Sequence, residues 1–119
     1  MREERGQIRG DVVVHEPFTL WGSIAGNVRV VQGGKFYVRG AIYGNLAVEY
    51  GGRVHIFGNI SGNLLVQDGA KVIHSGVLGG DISNTGGRLY VESNATVSGK
   101  VRTKGKGTTV IEPKTTLME

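Results

Sequence analysis

No cysteine occurs in the 119 residues, which excludes a disulfide framework, a thiolate metal site and a cysteine nucleophile. Proline is almost missing, with Pro17 and Pro113 the two instances. No apolar run approaches the roughly 20 residues of a membrane span. The start of the chain, Met1-Arg2-Glu3-Glu4-Arg5, is charged and lacks the apolar stretch of a signal peptide. A cytoplasmic address without a transmembrane segment is therefore the expectation. Charge of one sign is only mildly in excess, at a net +4, and its last cluster (Lys100, Arg102, Lys104, Lys106) falls among glycines near the C-terminus. A solvated turn accounts for that cluster, so the balance argues against nucleic acid or a lipid headgroup as the partner.

The chemistry of catalysis is equally thin. Gly34-Lys35-Phe36 and Gly99-Lys100-Val101 lack the hydroxyl and the spacing of a phosphate-binding loop. His15, His55 and His74 differ in phase along the chain and form no regular zinc-binding array. His74 takes a slot otherwise filled by Val38 and Ile56, which reads as a buried, hydrogen-bonded histidine. Glu49, Asp68, Asp81 and Glu92 show no pairing of the general acid–base kind. The expectation is a protein that is not an enzyme and takes no cofactor, metal or small-molecule substrate.

Glycine, by contrast, is abundant, with 21 residues at recurring places. Gly26-Asn27-Val28-Arg29-Val30, Gly44-Asn45-Leu46-Ala47-Val48 and Gly62-Asn63-Leu64-Leu65-Val66 repeat one unit at intervals of 18 residues. Gly80-Asp81-Ile82 and Gly99-Lys100-Val101 continue the series, and Gly10-Asp11-Val12-Val13-Val14 begins it. A fixed period of this size predicts a solenoid, whose coils bury their apolar sides only by stacking. Within one coil, Ile42 stands alone, Leu46 and Val48 flank Ala47, and Val54 and Ile56 flank His55. Alternation over short runs broken by glycine pairs predicts three short strands per coil, each with one face inward.

Three columns follow along the chain. One holds Ile8, Ile24, Ile42, Ile60, Leu78, Val97 and Leu117. A second runs from Val12/Val14 through Leu46/Val48 to Ile82 and Val101. The third runs from Phe18/Leu20 through Val54/Ile56 and Val72/His74 to Thr109/Ile111. Corners this frequent need positive φ or close backbone approach, hence the glycines. A structural corner ladder of Gly26, Asn27, Gly44, Asn45, Gly62, Asn63, Gly80 and Asp81 is expected, since Asn and Asp tolerate the left-handed region and bond neighbouring backbone. Between Asp81 and Gly87 the repeat is one residue short, and it regains two around Ser93-Asn94. That places Asn84 where Val66 predicts an apolar residue.

The phrase Gly40-Ala41-Ile42-Tyr43-Gly44-Asn45-Leu46-Ala47-Val48-Glu49-Tyr50-Gly51-Gly52-Arg53-Val54-His55-Ile56 resembles the repeat of bactofilins, bacterial polymer-forming cytoskeletal proteins. The next copy, from Gly58-Asn59-Ile60 to Val72, does so too. The resemblance covers roughly residues 6–117 of a single domain, 1–119. It implies a right-handed, triangular parallel β-helix of about six coils, and a nucleotide-independent scaffold that assembles end to end. The uneven spacings, Ile42 to Leu46 against Val48 to Val54, set it apart from left-handed hexapeptide acyltransferases, the distant alternative. Pro17, Pro113 and the charged N-terminus read as caps that blunt strand addition at the ends.

Phase also sorts the aromatics. Trp21, Tyr37, Arg39, His55, Phe57 and Ile73 should form one outward patch, with Tyr43 nearby and Tyr90 further along. Exposed Trp, Tyr and Phe beside an Arg match the composition of protein-binding surfaces. The function expected is structural: a scaffold that self-associates as an oligomer or filament, or docks a protein partner, through this face and the terminal coils. The alternative is a discrete binding module with capped ends, such as an antitoxin or immunity protein.

Overall fold

The computed structural model describes residues 2–113 and 116–117. Residues 1, 114–115 and 118–119, which the span 1–119 takes in, lie outside the described residues. Twenty short strands, and no helix among the described residues, form three parallel sheets. The first sheet contains β1 (Arg2–Glu4), β4 (Pro17–Leu20), β7 (Lys35–Val38), β10 (Arg53–Ile56), β13 (Lys71–His74), β16 (Arg88–Val91) and β19 (Thr108–Ile111). The second contains β2 (Gln7–Arg9), β5 (Ser23–Ala25), β8 (Ala41–Ile42), β11 (Asn59–Ile60), β14 (Val77–Leu78), β17 (Thr96–Val97) and β20 (Thr116–Leu117). The third contains β3 (Val12–Val14), β6 (Val28–Val30), β9 (Leu46–Val48), β12 (Leu64–Val66), β15 (Ile82–Asn84) and β18 (Val101–Thr103). Each coil contributes one strand to each sheet, and about six coils stack into a body of 34 × 26 × 20 Å.

The register follows the repeat. Phe18, Phe36, Val54, Val72 and Leu89 pair in succession, as do Ile24, Ile42, Ile60 and Leu78. In-register parallel stacking gives residues one period apart the same neighbours, so a column that is apolar once stays apolar. The interior is accordingly mostly aliphatic, with Phe18 and Phe36 stacked at 5.4 Å between centroids.

Two expectations change here. The first sheet begins earlier than the columns indicated, because β1 pairs with β4 through Arg2↔Phe18 and Glu4↔Leu20. Its slots carry Arg and Glu instead of apolar residues, and the Arg2 guanidinium lies 4.9 Å from the Phe18 ring. Neither proline is in an edge strand. Pro17 opens the interior strand β4, where the first position forfeits little of the ladder, and Pro113 sits in an exposed turn. The prolines therefore do not sit where they would blunt strand addition, and the charged residues of β1 occupy slots that are apolar in β4.

The corners also differ from expectation in mechanism. Among the described residues no non-glycine has positive φ, so Asn27, Asn45, Asn63 and Asp81 do not use the left-handed region. They act through their side chains. Asn27 Oδ1 accepts the backbone N–H of Asn45 at 2.8 Å, Asn45 that of Asn63 at 2.8 Å, and Asn63 that of Asp81 at 2.8 Å. Asp11 starts the series and Asp81 passes it to Lys100, both at 2.9 Å. Gly44 and Gly62 are required there by close approach, since a Cβ on either would enter the carbonyl of the coil before.

Candidate functional site

The first sheet presents the aromatic face. Outward positions at the middle of its strands run Thr19, Tyr37, His55, Ile73, Tyr90 and Val110 in register. The residues that follow these strands, Trp21, Arg39, Phe57, Ser75, Glu92 and Glu112, form the column at the corner, each backbone N–H bonded to the coil below. Within it the rings and cations interleave. The Arg39 guanidinium lies 5.2 Å from the Trp21 ring and 4.3 Å from the Phe57 ring, and Arg5 lies 5.1 Å from Trp21 on the other side. His55 stacks on Phe57 at 3.8 Å, and the Trp21 indole donates to Glu3 at 2.7 Å. Trp21 and Phe57 nonetheless stay 42% and 38% exposed, with Tyr37, His55 and Ile73 half-buried beside them.

Tyr43 does not join them. It follows β8 at the corner between the second and third sheets, because the short strand of the second sheet separates it from Arg39. Tyr90 lies in the central column, near Glu112. Its hydroxyl is held above its ordinary pKa, first by the hydrogen bond to Glu112 and then by partial burial.

His55, Ser75 and Glu92 meet at the edge of this face. Ser75 Oγ donates to Glu92, and His55 Nε2 is 3.1 Å from Ser75 Oγ and 3.8 Å from Glu92. The serine oxygen thus lies between the imidazole and the carboxylate. Burial pushes the His55 pKa down, and the Glu92 charge opposes that shift.

His74 is wholly buried in the column that holds Val38, Ile56 and Val91. Its Nε2 donates to the Thr96 carbonyl at 3.1 Å, while Nδ1 has no partner. Burial holds its pKa below the ordinary value, against a smaller opposing effect of the Thr96 bond. The sign follows: below about pH 6.5 the unfolded chain takes up this proton and the folded chain does not. Stability is thus full above that pH and falls as the pH drops towards the depressed folded value. Replacing His74 with Val, its column's own residue, is expected to shrink the difference in urea midpoint between about pH 7.5 and about pH 5. An equal difference in both proteins would sink the assignment.

The structure adds a row that the reading for aromatics missed. Lys35, Arg53, Lys71 and Arg88 open four consecutive strands of the first sheet and pair in register. The signal was present, since each follows the last residue of a corner: Gly34, Gly52, Ala70 and Gly87. Between this row and the central column runs a shallow groove. One part, about 160 Å³, is lined by Lys35, Tyr37, Arg53 and His55; the next, about 310 Å³, by Arg88, Tyr90 and Val110; Lys71 and Ile73 line both.

A family model described as "Bactofilin: Polymer-forming cytoskeletal" matches residues 3–102. The chain belongs to the bactofilin family. The match runs from β1 into β18, so the three-sheet solenoid is the part that carries the membership. No match was found among curated proteins or among solved structures. The bactofilin family is structural and cytoskeletal. No helix among the described residues is long and apolar enough to cross a membrane.

Proposed function

We propose that this bactofilin is a non-catalytic cytoplasmic scaffold. It associates with further copies of itself through its terminal coils and offers the aromatic face of the first sheet to a protein partner. The observation that carries the reading is the state of the last rung. Along one inward column Leu20, Val38, Ile56 and Val91 are 0% exposed, yet Ile111 in β19 is 39% exposed, beside exposed Val110. Among the described residues β19 is the outermost strand of this sheet, and a further rung on it would cover Ile111. The family's polymer-forming character supports the same role. A second reading, a discrete binding module, draws on the Arg2 and Glu4 slots of β1, which make the opposite edge of that sheet unfavourable for addition.

Sedimentation velocity and electron microscopy over a range of salt concentrations test the scaffold. The wild type is expected to assemble, and Ile111→Lys to raise the concentration needed by about tenfold or more, because a buried edge contact would acquire a charge. The double substitution Tyr37→Ala, Phe57→Ala is expected to leave assembly intact. A wild type that stays monomeric at every salt concentration would remove the scaffold and leave the binding module.

A further inference from the structure

The cations of the solenoid are not all used alike. Arg29 is bound to Glu49 at 2.6 Å, Arg5 lies 3.7 Å from Glu3, and Arg39 is held between two rings. Lys35, Arg53, Lys71 and Arg88 have no ion-pair partner among the described residues, although Lys35 leans over the Tyr37 ring at 5.7 Å. Like charges opposite one another on neighbouring strands are unfavourable, and here four stand in line. Their number equals the net charge of the whole chain, +4. Beside them lies the apolar groove, and beyond it the far edge of the face turns acidic at Glu92 and Glu112.

We infer that this groove is the docking site for an acidic amphipathic helix of a partner protein. The inference rests on the reading of this face as a partner surface and names the chemistry of the partner. The charge distribution selects it. A uniform polyanion would meet Glu92 and Glu112, whereas a helix acidic along one flank sets that flank on the cation row alone. Spacing points the same way. Successive strands are about 4.8 Å apart, and carboxylates one helical turn apart recur about every 5.4 Å. On an extended peptide, same-side carboxylates recur only about every 6.6 Å and drift out of step within a few rungs. Length agrees as well: from Lys35 to Thr108 the groove spans five rungs, about 19 Å, the length of a helix of about 13 residues. The apolar stripe of the helix would lie along the groove, against Tyr37, Ile73 and Tyr90.

The test uses fluorescence anisotropy with a labelled synthetic helix of about 14 residues. It carries Glu once per turn along one flank of a Leu stripe. An isomer with the Glu residues opposite the stripe, a Lys version and a short oligothymidylate serve as comparisons. The wild type is expected to prefer the flank-acidic helix by about tenfold or more, and to lose affinity steeply between about 50 and 200 mM salt. Arg53→Glu, Lys71→Glu should abolish that preference and Arg53→Gln, Lys71→Gln weaken it, with unchanged circular dichroism in both. Equal binding of the two acidic isomers, tighter binding of the oligonucleotide, or no binding of the flank-acidic helix would overturn the inference. So would self-association that the Glu variants abolish, since the row would then contact a second copy. The Ile111→Lys experiment reads the scaffold separately, so either conclusion can fail without the other.

Discussion

Gly58→Ala is expected to cost about 3–5 kcal/mol, a large part of the stability of a domain this size. Gly58 turns the chain from the first sheet to the second, and Gly22, Gly40 and Gly76 do the same in neighbouring coils. Its φ is not positive, so backbone conformation is not the obstacle. Contact is. A Cβ on Gly58 would enter the carbonyl oxygen of Gly40 and come within 2.9 Å of the Arg39 carbonyl carbon. The Gly40 carbonyl cannot move aside, because it accepts the amide of Asn59 at 3.0 Å, while Gly58 itself donates to Val38 at 2.8 Å. Relief would require lifting one coil off another along the corner, which breaks rungs on two sheets. Gly105→Ala provides the contrast. There φ is +60°, and a Cβ meets the Thr85 carbonyl oxygen at 3.1 Å, a tight contact that a shift of a few tenths of an ångström relieves, so the cost is mainly the left-handed penalty of about 1–2 kcal/mol. Urea unfolding of both variants checks the order. A Gly58→Ala protein within about 0.5 kcal/mol of wild type would show that the coils are not in contact at this corner.

How much of this was legible beforehand depends on what the repeat encodes. The inward columns could be read because stacking in register repeats one environment every coil, so Ile24, Ile42, Ile60 and Leu78 declare one another. The strand β1 could not, since Arg2 and Glu4 sit in slots whose only signature is an apolar residue. Phase told that Tyr43 points outward, but not which of three faces it belongs to. That depends on where the chain turns, and the second-sheet strand of two residues ends before Tyr43. The cation row was overlooked for a different reason. A charge at an outward position is ordinary by itself, and its meaning comes from three more in register with no ion-pair partner among the described residues. Arg39 shows the converse: an apparent surface cation that the fold clamps between Trp21 and Phe57.

Asn84→Val is expected to destabilise the protein by about 2–4 kcal/mol, although valine is what the column carries at Val48 and Val66. In the regular coils the corner closes with a backbone bond across three residues. Gly34 donates to Val31, Gly52 to Glu49, Ala70 to Gln67 and Gly107 to Lys104, at 2.9–3.1 Å, and each acceptor follows an inward residue. The coil at Asn84 is one residue short, so three residues back from Gly87 is the inward residue itself. Its own carbonyl is already taken by the amide of Lys104 at 2.7 Å. The side chain supplies the missing acceptor: Asn84 Oδ1 takes the N–H of Gly87 at 2.9 Å and of Gly86 at 3.2 Å. Its Nδ2 donates to the Thr108 carbonyl at 3.0 Å and Thr109 Oγ1 at 3.1 Å, so a fully buried amide is satisfied at both ends. Valine leaves the buried Gly87 N–H with nothing, and that cost exceeds the gain from an apolar side chain. Asn84 therefore also sets the residue before Arg88, the last cation of the row. Inserting one glycine after Thr85 in the Asn84→Val protein restores the regular corner and should recover most of the lost stability. An Asn84→Val protein as stable as wild type, or an insertion that recovers nothing, would show that the amide does not close the shortened corner.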